Sequence, residues 1–165
     1  MTIRITKILL VFAIAIYFTL VVFNNTTDYD SNFQFVRHVL MMDSTFAGNH
    51  AMWRAINSPA IHTLFYIGII AWESLTMILC WLGGITLVRK LKAPAPAFQR
   101  GKNGAIFGLA LGALLWLTAF LTIGGEWFLM WQSQKWNGRD AAFHMFIVIG
   151  IVLIFLVQDD ETKTH

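Results

Sequence analysis

Long apolar runs separated by short polar stretches dominate the chain. Four stand out, over residues 8–23, 59–88, 104–131 and 141–157. A helix needs roughly 20 apolar residues to cross the hydrocarbon core of a bilayer, within a range of about 17–25. The first run is a little short, but Arg4 and Lys7 just before it can extend their charged ends to the interface and let it span. Val21-Val22-Phe23-Asn24 is too bulky for the small-residue site at which a secretory signal would be cut, so this run reads as a retained helix. The pattern predicts an all-α polytopic membrane protein. It is one membrane domain over residues 1–165, a four-transmembrane-helix bundle with an outer loop over 24–58 and an inner loop over 89–103.

Polar punctuation marks the ends of the runs. Ser58-Pro59 reads as the N-cap and first position of helix 2, because proline lacks only an N–H that is unneeded there. Asp140 follows Asn137-Gly138 and suits the positive end of helix 4. Ala93-Pro94-Ala95-Pro96-Ala97 breaks helix and resets chain direction. The first loop is too apolar to hang free. Asp30 or Ser31 caps a predicted helix through about Met42, with Phe33, Val36 and Leu40 on one side, and a second short helix covers Asn49–Ile56. Phe33, Val36, Leu40 and Trp53 are expected to be buried, making this loop a helical outer cap. In helix 3, Gly104, Gly108 and Gly112 share a face, a spacing that lets helix backbones approach closely, either within the bundle or between two copies.

Composition supports the membrane reading. Apolar residues make up 57% of the chain and charged residues 13%, and mean hydropathy is +0.62, whereas soluble domains are about a quarter charged. The net charge of +3 is too small and too scattered for nucleic-acid binding. Its placement orients the chain instead. With the N-terminus inside, Arg4, Lys7, Arg89, Lys90, Lys92, Arg100, Lys102 and Lys163 are cytoplasmic, and only Arg37, Arg54, Lys135 and Arg139 are outside. That distribution obeys the positive-inside rule and predicts cytoplasmic N- and C-termini. Asp159-Asp160-Glu161 reads as a solvated tail. Cys80, the lone cysteine, has no intrachain partner for a disulfide.

Few residues carry chemistry. Glu73 lies near the middle of helix 2. A charged carboxylate facing lipid there is costly, so Glu73 is expected to face the bundle, protonated or paired. Its roles divide between a structural hydrogen bond, with Thr118 or Thr122 as partner, and a proton relay, cation site or substrate contact. His62, Glu126 and His144 fall at similar depth near the outer boundary and offer ligands for a transition metal or, through the two histidines, haem. A hydrogen-bonded polar rim is the simpler reading of them. Trp53, Trp127, Trp131 and Trp136 also gather on the outer side, as an interfacial belt or as the wall of a quinone or lipid cleft. With Arg37 and Arg54 they form the candidate partner-contact surface. No nucleophile–base pair or phosphate loop is present, so no catalytic residue is assigned, and no cofactor is expected.

Asp28-Tyr29-Asp30-Ser31-Asn32, Phe35-Val36-Arg37-His38-Val39, Met42-Asp43 and Trp53-Arg54-Ala55-Ile56 resemble the first-loop signature of a bacterial family. Tyr66 to Glu73, Gly125-Glu126-Trp127-Phe128-Leu129-Met130-Trp131-Gln132-Ser133 and Trp136-Asn137-Gly138 resemble its other signatures. The family is the group of predicted small integral membrane proteins numbered 2165 among domains of unknown function. The resemblance covers nearly the whole chain and implies a four-helix protein of the bacterial inner membrane, without supplying an activity. Three classes of function follow: a non-enzymatic accessory subunit or scaffold of a larger membrane complex, an oligomeric small transporter or channel component using Glu73, and a haem- or metal-binding redox protein using His62, Glu126 and His144. Lipid is the expected environment, with a larger complex or self-association as partner.

Overall fold

A computed structural model describes residues 1–160. The elements are α1 (Thr2–Thr27), α2 (Tyr29–Met41), a 3-10 turn at Met52–Arg54, α3 (Pro59–Arg89), α4 (Ala95–Gly101), α5 (Asn103–Leu114), a π-helical stretch over Leu115–Trp127, a second 3-10 turn at Met130–Gln132, and α6 (Arg139–Val157). No strand occurs among the described residues. Four helical units are long and apolar enough to cross a membrane: α1, α3, the unit Ala95–Trp127 and α6.

The apolar runs locate the four long helices but miss several of their ends, and the third helical unit stops at Trp127, short of the predicted residue 131. α1 continues to Thr27, past the predicted limit at residue 23, because Thr26 and Thr27 return their hydroxyls to the carbonyls of Val22 and Phe23 and so stay helical while polar. Pro59 starts α3 as expected, but the Ser58 side chain makes no capping bond. The proline run at 93–97 interrupts the helix at Ala93 and Pro94, as expected, but residues 95–97 already belong to α4. Pro94 occupies the N-cap of α4 and Pro96 its first turn, where a missing N–H costs nothing.

Bundle packing depends on small residues. A Cβ added at Gly83 would lie 2.6 Å from Ala105 Cα, so α3 and α5 touch backbone to backbone. Gly108 faces Cys80 and Leu79 of α3, Gly112 faces Phe18 of α1 and Thr76 of α3, and Gly104 lies over Gly83. The face shared by Gly104, Gly108 and Gly112 is therefore used inside the bundle.

After Leu114 the ladder changes from i→i−4 to i→i−5. Phe128 N–H reaches Ile123 O at 3.0 Å, and the Thr122 hydroxyl reaches Leu117 O at 2.8 Å. The switch coincides with the Trp72 indole N–H, which donates to Leu111 O at 3.1 Å and competes for the carbonyl at the junction. π-helix normally appears as a single-turn bulge, often at functional sites, whereas here it runs for 13 residues. The wider turns re-aim every side chain beyond Leu115.

A second apolar core lies at one end of the bundle. Val36, Val39 and Leu40 of α2 pack with Met42, Tyr66, Phe128 and Met130, and Ile56 N–H bonds Leu40 O at 2.8 Å. Residues 29–56 thus rest on the bundle as a cap. The predicted helix over Asn49–Ile56 is reduced to the 3-10 turn Met52–Arg54, and Trp53 is 71% exposed rather than buried.

At the opposite end Asp159 is exposed, as expected of a solvated tail, but the Asp160 side chain is buried. Lys7 and Lys102 are both fully buried, and both hold Gln158 O, at 2.5 and 2.7 Å. Asp160 pairs with Lys7 at 3.1 Å and also with Lys102. Burial alone raises the Asp160 carboxyl, but the hydrogen bonds and charges of the two lysines outweigh it and hold the group below the usual carboxylate range. Glu161 and Lys163 lie outside the described residues.

Candidate functional site

Glu73 sits near the midpoint of the 31-residue α3 and is 2% exposed, facing the bundle. Its partner is neither Thr118 nor Thr122. The Asn25 side-chain amide donates to Glu73 Oε2 at 2.7 Å, and the Asn32 amide in turn donates to Asn25 Oδ1 at 2.7 Å. Tyr66, two turns before Glu73 on α3, donates its hydroxyl to Asn25 O at 3.2 Å. A polar chain therefore descends from the cap, through the last turn of α1, to the middle of α3. Each member is fixed by its element: Asn32 by the start of α2, Asn25 by the polar extension of α1, and Tyr66 with Glu73 by their shared face of α3.

This chain borders a half-open cavity of about 310 Å³. Glu73, Asn25 and Tyr66 form its buried polar side. Trp116 and Phe120 project into its wall from the π-helical stretch, and Phe35, Val36 and Ile69 complete the apolar lining. Exposed Asn24, Asn32 and Ala141 stand at its rim. No Lys, Arg or His among the described residues lines the cavity. Trp116 is 8% exposed, and its indole N–H is buried without an acceptor among the described residues. A smaller cavity of about 80 Å³, walled by apolar groups, shares Phe35, Val36, Ile69 and Phe120 with the first.

The other candidate residues do not converge. His62 is buried with Nε2 2.8 Å from Ile56 O, which ties the cap to α3. Glu126 lies 3.5 Å from Arg139, both side chains largely exposed, and His144 is exposed. Among the described residues no group of three or more His, Cys, Asp or Glu could hold a metal, so the structure does not assemble the ligand set read from His62, Glu126 and His144. Similar depth did not place them on neighbouring faces.

The tryptophans also separate. Trp53 meets Trp127 edge to face at 5.8 Å, with the Arg54 guanidinium over both rings at 5.2 and 4.7 Å. Trp131 packs on Phe46, while Trp136 stacks on His38. Arg37 is exposed and bonds only Gln34, at 3.3 Å. These are separate clasps around the cap, and none of the four indoles lines the cavity beside Glu73.

Sequence reasoning missed Asn25, Asn32 and Trp116. Asn25 lies beyond the apolar run and Trp116 in a stretch whose helical period changes. The available signal was Tyr66 and Glu73, seven residues apart and hence on one face. No curated protein and no solved structure matches the chain. A family model described as predicted small integral membrane protein (DUF2165) matches residues 3–159, and the chain belongs to that family.

Proposed function

We propose that the protein is a membrane-embedded binding component of a small transport system, with the cavity beside Glu73 as its ligand site. The observation that carries this reading is a mid-helix carboxylate that, although itself only 2% exposed, forms part of the wall of a half-open cavity. A purely structural acid would gain from complete enclosure and several hydrogen-bond partners. Glu73 has one side-chain partner and borders enough room for a small molecule. The basic-residue distribution supports placing the cap, and so the cavity's rim, on the periplasmic side of a bacterial inner membrane with both termini cytoplasmic. Four helices form a narrow pathway, so transport across the bilayer calls for self-association or a partner.

Thiol accessibility tests the site. Ile69, which lines the cavity, is changed to Cys in a Cys80→Ser background, with lipid-facing Leu75→Cys as control. A small membrane-impermeant thiol reagent added from the cap side is expected to label Ile69→Cys and spare Leu75→Cys. Failure to label Ile69→Cys in a folded protein overturns the reading.

A second reading, a non-enzymatic accessory subunit of a larger membrane complex, is supported by Trp53, exposed on the cap between half-exposed Met52 and the Arg54–Trp127 clasp. Recovery of a larger assembly from native membranes, lost on Trp53→Ala, is its expected result. Migration as the isolated chain would count against it.

A further inference from the structure

We propose that the cavity takes an organic ammonium ion, whose charge pairs with Glu73 and whose body packs on Trp116, Tyr66 and Phe120. This deepens the ligand-site reading above and rests on it.

Three observations select that chemistry. The first is charge. No cationic side chain among the described residues pairs with Glu73 or lines its cavity, so the site itself offers a carboxylate and no counter-charge. The second is the wall. Four aromatic residues, Phe35, Tyr66, Trp116 and Phe120, line the cavity with the acid, and ring faces attract cations, ammonium groups above all when water is excluded. The third is the state of the oxygens and of the indole. Calcium and similar hard cations need six or more oxygen ligands. Here Asn25 Oδ1 already accepts from Asn32, and Asn25 O already accepts from Tyr66. A bare metal ion is poorly served. The buried Trp116 N–H, by contrast, lacks an acceptor among the described residues. Trp116 lines the same cavity as Glu73, and a ligand oxygen that reached its N–H would supply the missing acceptor. A volume of about 310 Å³ sets the scale at a small molecule.

The test is calorimetric titration of the purified full chain in lipid nanodiscs with tetramethylammonium, benzyltrimethylammonium and choline. The uncharged carbon isostere of choline, 3,3-dimethylbutan-1-ol, serves as control. At least one ammonium ion should bind, and the isostere should not. Glu73→Gln retains an oxygen for Asn25, so its melting temperature should hold while ammonium affinity falls about tenfold or more, the factor that 1.4 kcal/mol represents. Trp116→Phe should weaken choline more than tetramethylammonium, because only choline offers the oxygen. The inference is overturned if no ammonium ion binds, if the isostere binds equally well, or if Glu73→Gln leaves affinity unchanged. Those results with Ile69→Cys still labelled would sink the ammonium assignment alone. Without labelling, the ligand site itself falls.

Discussion

Replacing Asp160 with Asn probes the end of the molecule that the sequence pattern misjudged. The carboxylate is the only acid paired with Lys7 and Lys102 among the described residues, and both lysine side chains are fully buried. Removing one partner of a buried ion pair costs about 3–5 kcal/mol, because a charge is left without compensation. Here two ammonium groups keep Gln158 O, and the new amide oxygen still accepts a hydrogen bond, so the lower end, about 3 kcal/mol, is expected. That is a large share of the ~5–15 kcal/mol by which folded domains are typically stable. At ~2–4 °C per kcal/mol for a chain of this size, the melting temperature in detergent should fall by ~6–12 °C. Its pH dependence carries a definite sign. A carboxyl held below its unfolded value contributes fully above that value, near 3.9, and loses the contribution as pH falls through the lower folded value. Wild-type stability from this source is therefore flat between pH 6 and 8 and declines below about pH 4, whereas Asp160→Asn lacks that decline. An unchanged melting temperature at pH 7 would mean that Asp160 is not held between the two lysines.

Further outcomes follow from the packing. Gly83→Leu should destabilise the bundle by about 1–3 kcal/mol, or unfold it, since even a Cβ has no room against Ala105; thermal melts with Gly68→Leu, in open space, provide the contrast. Glu73→Leu leaves the buried Asn25 amide without its acceptor and should cost about 1–3 kcal/mol, while Glu73→Gln melts like wild type; equal melting of all three proteins would remove the hydrogen bond's role. Reporter fusions near residue 96 should read cytoplasmic, and a periplasmic signal there would reverse the proposed orientation.

The four spans were legible because the apolar run is the part of a helix that lipid requires. Polar residues that prolong a helix beyond that run leave no such mark, which is why Asn24 to Thr27 were assigned to a loop and Asn25 escaped notice. Glu73 announced itself by its depth, but its partner could not be read, because pairing depends on which face α1 presents. Helical periodicity also loses its meaning after Leu114, where the i→i−5 ladder shifts Trp116 and Phe120 into the cavity. His62, Glu126 and His144 show the opposite failure. Depth along an axis is one coordinate, and the angle around each helix sends Glu126 and His144 to exposed positions while His62 turns inward. Asp160 misled because a terminal acidic run resembles a solvated tail until the two lysines beneath it are seen.

Protection from labelling tests whether Glu73 anchors a ligand in the cavity. Ile69→Cys in the Cys80→Ser background is labelled with the impermeant thiol reagent, with and without a saturating ammonium ion, in chains that carry Glu73 or Glu73→Gln. The ammonium ion should slow labelling when Glu73 is present and have no effect when Gln replaces it. Identical labelling rates in the four conditions would contradict it.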